Sequence, residues 1–141
     1  MGAGSSIVKE IAKVMYSEPL AHMIYAAADV VVVPSMYEPC GLTQMIALRY
    51  GAVPLVRRTG GLADTVSDVD HGGGAAPRNG FVFDGSDEAA LFGALDRALA
   101  MYAQQPAHWA ALAQDNMRLD VSWGKSAKSY MDVYRSILGN Y

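Results

Sequence analysis

The period of the hydrophobic positions changes several times along the chain, and each change marks an element. "SSIVKEIAKV" spaces Ile7, Ile11 and Val14 at helical intervals, and "KVMY" can close it as a short strand ending at Tyr16. In "SEPLAHMIYAAA", Leu20, Met23, Ile24 and Ala27 share one face, Ser17 suits an N-cap and Pro19 the first turn, so a helix is expected. "DVVVVPS" follows as a continuous β-branched run, the pattern of a strand covered on both faces of a parallel sheet. "GLTQMIALRYG" reads as a helix closed by Gly51, "AVPLVRR" as a second buried strand, "TGGLADTV" as a turn into a short helix, and "NGFVFDG" as a third strand. "DVDHGGGAAPRNG", rich in Gly, Pro and Asp, is expected to be an exposed loop.

The remainder is helical. "SDEAALFGALDRALAMYAQQ" opens on Ser86 with acidic residues at the positive end of the helix dipole and carries an apolar stripe. "PAHWAALAQDNMRLD" and "WGKSAKSYMDVYRSIL" follow as amphipathic helices, with His108, Trp109, Trp123 and Tyr130 expected at packing or interface positions. Strands alternating with helices imply right-handed crossovers and a Rossmann-like parallel sheet flanked by helices, an α/β fold. Only three strands stand out, so the pattern matches the later part of a doubly wound domain finished by a helical tail.

Length and composition narrow this further. The 141 residues suit one domain, and with 52% hydrophobic and 18% charged residues the chain can bury a core. The net charge of -3, with Arg57 and Arg58 the one notable basic pair, makes nucleic acid and anionic membranes poor partners. One cysteine excludes an internal disulfide framework and a zinc site built from several cysteines. The longest apolar run is broken by Asp29 and too short to span a bilayer. "MGAGSSIVKE" lacks the character of a signal or transit peptide, and residues 1–15 read as an N-terminal segment, either artificial or a trimmed domain start, ahead of a domain over 16–141.

Ligands of open α/β sheets bind at the carboxyl ends of the strands, where "MYEPCGLTQ" falls. The backbone around Gly41 to Thr43, with the helix dipole and the Thr43 hydroxyl, makes a site for phosphate or pyrophosphate. Glu38 does not suit phosphate, but an ionised carboxylate is a strong acceptor for sugar hydroxyls, and a sugar nucleotide satisfies both halves of the loop. The plain alternative stays open: a glycine before a helix is usually a turn, and a glutamate there usually compensates the dipole. Cys40 alone reads first as a small hydrophobe, with no His and Asp arrangement to activate it. "GAGSS" lacks a preceding strand and a third glycine, and His22 and His71 lack metal-ligand spacing. "RRTGGLADT" follows the next strand in the same sense, placing Thr59 and Gly60 near the same cleft or in a plain tight turn.

The stretch "YAAADVVVVPSMYEPCGLTQMIALRYGAVPLVRRTGGLADTVSDVD", with "NGFVFDG" and "DVSWGKSAKSYMDVYRSIL", resembles the glycogen and starch synthase family, glucosyltransferases that extend α-1,4-glucan from ADP-glucose or UDP-glucose. "EPCGLTQ" and "RRTGGLADTV" occur together at the family spacing. "DVDHG" and "LTQMIALRYG" look closest to plant and algal soluble starch synthases, and the bacterial glycogen synthases are similar. The resemblance implies a GT-B architecture, two Rossmann-like halves facing a cleft, of which this chain looks like an incomplete C-terminal, donor-binding half.

By position, Glu38 resembles the acidic residue that contacts the glucosyl group and is required for transfer. Cys40 and Gly41 would line the glucose pocket, and Leu42 and Thr43 would meet the diphosphate. Tyr16 looks like the aromatic residue that stacks on the base, and Thr59, Gly60 and Gly61 like the turn beside the donor sugar. Many retaining GT-B enzymes carry a second glutamate where this chain has Ile46; the synthases also lack it. The family's N-terminal domain and its basic residues for the leaving diphosphate are not seen, and Arg57 and Arg58, after another strand, are not assumed to replace them.

The resemblance therefore implies a retaining hexosyltransferase, needing no cofactor or metal, that binds a nucleotide sugar and reaches its α-glucan acceptor through the other domain. The chain alone is expected to be inactive. The location implied is the plastid for a plant or algal source and the cytoplasm for a bacterial one. The alternative is a non-catalytic truncated homologue that acts as a nucleotide-binding or interaction module.

Overall fold

The computed structural model describes residues 17–71 and 77–139. In chain order the elements are α1 (Glu18–Ala27), β1 (Val30–Val33), α2 (Thr43–Tyr50), β2 (Val53–Arg57), α3 (Gly60–Thr65), β3 (Phe81–Phe83), α4 (Glu88–Gln104), α5 (Pro106–Arg118) and α6 (Trp123–Leu138). The expected helix and strand over residues 5–16 lie outside the described residues.

The three strands form one parallel sheet in the order β1-β2-β3, with Val30 opposite Val53 and Leu55 opposite Phe81. Pro54 cannot donate to a ladder, and it stands one residue before the β2–β3 pairing begins at Leu55. Right-handed crossovers that step the same way along a sheet put their helices on one face. Accordingly Leu62 of α3 and the following Val66 pack on Val33, Val56 and Val82. After β3 the chain reverses, and α4 and α5 cover the other face, burying Val53, Leu55, Phe81 and Phe83 under Ala94, Ala98, Met101, Trp109 and Leu112. Phe81 stacks on Trp109 at 6.3 Å, and Tyr102 meets Trp109 edge-on at 5.2 Å. Leu55 and Phe81 are fully buried, each contributing about 1.5–3 kcal/mol by removal from water.

Four expectations change here. β1 is only partly covered on the α4 side: Val33 is buried and Val30 packs against the core built with α4 and α5, but Val32, further along that face, is 42% exposed. The "DVDHG…RNG" loop is anchored at both ends rather than wholly exposed, since Asp68 and Gly80 bridge in parallel and Asp68, Val69 and Asn79 are buried. Helix α4 is capped by Asp87, whose carboxylate accepts from the Ala90 N–H at 2.8 Å, and not by Ser86. Trp109 packs as expected, whereas His108, Trp123 and Tyr130 are exposed, and α6 buries none of its residues. The apolar face of α1 likewise forms but stays uncovered, with Met23 and Ile24 exposed.

Candidate functional site

A parallel sheet gathers the carboxyl ends of its strands on one edge, and here that edge carries the loop after β1 (residues 34–42), the turn after β2 with the first residues of α3 (58–61) and the turn after β3 (84–87). The first two touch through their backbones. The Gly61 N–H donates to the Glu38 carbonyl at 2.9 Å. A Cβ on Gly61 would come within 2.7 Å of the Cys40 carbonyl oxygen, and one on Gly60 would overlap the Glu38 carbonyl oxygen. Gly60 also has φ +43 and Gly41 φ +60, conformations that side chains other than glycine's rarely adopt. The glycines of "EPCG" and "TGG" thus let two loops from different strands close to backbone contact.

The structure therefore brings Glu38, Cys40, Gly41, Thr59, Gly60 and Gly61 together, with Leu42 as the N-cap residue of α2 and Thr43 its first residue. Cys40, Leu42 and Gly60 are exposed and Glu38, Thr43 and Thr59 half-buried, so this assembly faces solvent. Tyr16 lies outside the described residues.

The Glu38 carboxylate is held by its own loop, with Oε2 accepting from the Ser35 hydroxyl at 2.9 Å and Oε1 from the Gly41 N–H at 3.2 Å. That bond corrects the expectation that Gly41 offers an unpaired N–H to phosphate. The free donors lie further on: the first turn of α2 has N–H groups without intrahelical partners, and its first such bond runs from Ile46 to the Leu42 carbonyl. Glu38 thus sets its carboxylate beside the positive end of α2 and at the strand end at once, a placement common to both readings of the loop.

The two arginines are committed to structure. Arg57 donates from Nε to the Ser35 carbonyl at 2.9 Å and from its terminal nitrogen to the Met36 carbonyl, holding the start of the Glu38 loop. Arg58 pairs with Asp84 at 2.6 Å. A second cluster sits away from this edge. Asp68, Asp70 and His71 offer ligand atoms within 4.8 Å of one another, an arrangement that linear spacing did not show. Arg97 already spans both carboxylates, at 3.0 Å from Asp68 and 2.6 Å from Asp70. Burial pushes the Asp68 carboxyl up, but hydrogen bonds from Arg97 and from the N–H groups of Val82, Asp70 and His71 outweigh it and hold the carboxyl well below the usual range. This is a structural ion-pair network that ties the long loop to β3 and α4. Gln44, fully buried beneath the site, stands within "EPCGLTQ" without a role assigned from the sequence, and Arg57 is weighed there only as a charge; what each side chain holds depends on partners distant in the chain.

The comparisons agree with this architecture. The catalytic domain of starch synthase IV from Arabidopsis thaliana, solved bound to ADP and acarbose, superposes with a TM-score of 0.78 at 46% identity over 86% of this chain and 25% of that one. Sucrose-phosphate synthase from Thermosynechococcus elongatus superposes with a TM-score of 0.58 at 29% identity over 83% of this chain and 27% of that one. Glycogen synthase of Protochlamydia amoebophila is 50% identical over 86% of this chain and 25% of its own length. Starch synthase 3, chloroplastic/amyloplastic, of Arabidopsis thaliana is 49% identical over 86% of this chain and 12% of its own length. The chain thus spans about a quarter or less of the curated relatives it matches, and corresponds to a Rossmann-like part of the GT-B fold. The family described as Glycosyl transferases group 1 matches residues 9–115, and the chain belongs to that family, among relatives that are glycogen and starch synthases.

Proposed function

We infer that this chain is the donor-binding part of a glucosyltransferase that moves glucose from ADP-glucose or UDP-glucose to the non-reducing end of an α-1,4-glucan, with retention at the anomeric carbon. The observation that carries this is the backbone junction of the Glu38 loop with the Gly60–Gly61 turn, which sets a carboxylate acceptor beside the first turn of α2. An acceptor and an anion-favouring helix terminus side by side suit a sugar joined to a diphosphate.

In this reading Glu38 accepts from the glucosyl hydroxyls, Cys40 and Gly41 line the sugar, and Leu42 and Thr43 meet the diphosphate, whose growing charge the α2 terminus stabilises as the bond to the sugar breaks. Thr59, Gly60 and Gly61 border the sugar, and Tyr16 stacks on the base. ADP is the favoured nucleotide, since the similar starch synthase IV domain was solved with ADP. The acceptor glucan is held by a further domain, and the location is plastid or cytoplasm according to source. No helix among the described residues is long and apolar enough to cross a membrane.

The direct test is titration of the chain with ADP, UDP and ADP-glucose by calorimetry. Saturable binding of ADP and ADP-glucose, weakened by Tyr16→Ala, is expected. No binding of either, with the chain folded, would overturn the reading.

A further inference from the structure

We propose that Gln44 is a positioning residue: its buried side-chain amide clamps the Glu38 loop to the Gly60–Gly61 turn and so holds the donor-binding edge as one rigid surface. The inference rests on the donor-binding reading for its consequence, but not for its geometry.

Gln44 is the second residue of α2 and is fully buried. A buried amide is expected to spend its hydrogen bonds on something structural, and this one spends its donors on both loops. Nε2 donates to the Gly41 carbonyl in its own loop and to the Thr65 hydroxyl at 2.8 Å, and lies 3.4 Å from the Gly61 carbonyl in the neighbouring turn. Thr65 completes the clamp by donating its hydroxyl to the same Gly61 carbonyl at 2.6 Å. The orientation of the amide is set by these partners, because a flipped amide would point Oε1 at two carbonyl oxygens. Oε1 has no hydrogen-bond partner among the described residues. A buried acceptor left without a partner is unfavourable, so an apolar side chain would serve this place better if packing were its only task.

The clamp reaches the ligand face through peptide geometry. The Gly41–Leu42 peptide is planar and trans, so drawing the Gly41 carbonyl onto Gln44 turns the Leu42 N–H to the opposite side, away from the core. The same grip leaves no room at Gly41 for a side chain, since a Cβ there would meet Nε2 at 2.5 Å and the Gly61 carbonyl carbon at 2.8 Å. Gln44 touches no proposed ligand atom; it sets where Glu38, Leu42 and Gly61 stand relative to one another.

The test uses the full isotope-labelled chain and follows amide hydrogen exchange with ADP titration on the same samples. The Gly61 N–H, bonded to the Glu38 carbonyl, reports the junction; the Val53 N–H, bonded to the Asp29 carbonyl, reports the core. Gln44→Met and Thr65→Val are each expected to speed exchange at Gly61 at least tenfold while Val53 changes less than twofold, and to weaken ADP about tenfold. Thr65→Ser, which keeps the hydroxyl, is expected to restore both. Should Gln44→Met fail to fold, the two Thr65 variants decide. Gly61 exchange that stays at the wild-type rate in these variants, or rises only in step with Val53, overturns the proposal even if ADP binds. Wild-type chain that binds no ADP, together with variants that show the selective change at Gly61, overturns the donor reading and supports the clamp.

Discussion

The backbone N–H of Gly61 donates to the backbone carbonyl of Glu38 at 2.9 Å, so the carboxylate-bearing loop after β1 and the turn after β2 share a hydrogen bond at the sheet edge. Gly60 makes that contact possible, with φ +43 and no Cβ to overlap the Glu38 carbonyl oxygen. Gly60→Ala is expected to cost about 2 kcal/mol, from the left-handed backbone plus the forced separation of the loops. Gly93→Ala is the control: it lies within α4 with nothing within 4 Å of an added Cβ, and should gain about 0.5–1 kcal/mol. Thermal melts of both variants check the contrast, and a stable Gly60→Ala would show that the junction is loose.

Glu38 offers the negative acceptor of the site, and Glu38→Gln keeps its size while removing the charge. With the amide oxygen kept on the Gly41 N–H, the new NH2 can donate to the Ser35 hydroxyl, which rotates to accept, so the melting temperature should hold within a few degrees. Acceptance from sugar hydroxyls weakens when the acceptor loses its charge, so ADP-glucose affinity should fall about tenfold, roughly 1.4 kcal/mol, while ADP changes little. Equal losses for the two ligands would remove Glu38 from the sugar.

How much of this was legible in the chain depended on whether the signal was local. The β-branched run of β1, the short apolar run of "NGFVFDG" between turn residues and Gly51 closing α2 are near-neighbour patterns, and all three form where those patterns put them. Val32 shows the limit: its sequence context is that of a doubly covered strand, but coverage is decided by where α4 and α5 travel, some sixty residues later. Asp68 shows it again, polar in a glycine-rich stretch yet buried because Arg97, 29 positions on, neutralises it. At the site, "EPCG" and "TGG" were readable as motifs. That their glycines serve to press two backbones together, and that Gln44 lies beneath both, required the fold.

Arg57 and Arg58 are adjacent in sequence but should behave differently when truncated. Arg58 pairs with Asp84 in solvent, both side chains about half or more exposed, so Arg58→Ala should fall within about 0.5 kcal/mol of wild type. Arg57 holds two backbone carbonyls, of Ser35 and Met36, at the root of the Glu38 loop. Arg57→Ala should cost about 1–2 kcal/mol and also weaken ADP-glucose, because the loop loses its anchor. Denaturant titration separates the two, and equal effects would mean that Arg57 does not organise the loop.

The acid stability of the chain should be governed by Asp68. Its side chain is 3% exposed and accepts from Arg97, from the Val82 N–H at 2.7 Å and from the N–H groups of Asp70 and His71. These hold its carboxyl below the ordinary value, so between the folded and unfolded pKa the unfolded chain binds the extra proton. The stabilisation is then fully present above the unfolded value of about 3.9 and is lost as pH falls below it towards the lower folded value. Arg97 stays charged throughout this range and adds no slope of its own. Asp68→Asn leaves Arg97 without its buried partner and should cost about 3 kcal/mol at pH 7. It should also flatten the acid limb, so melting curves of wild type and variant converge as pH is lowered from 5 towards 2. Curves that stay parallel over that range would assign the acid transition to other carboxylates.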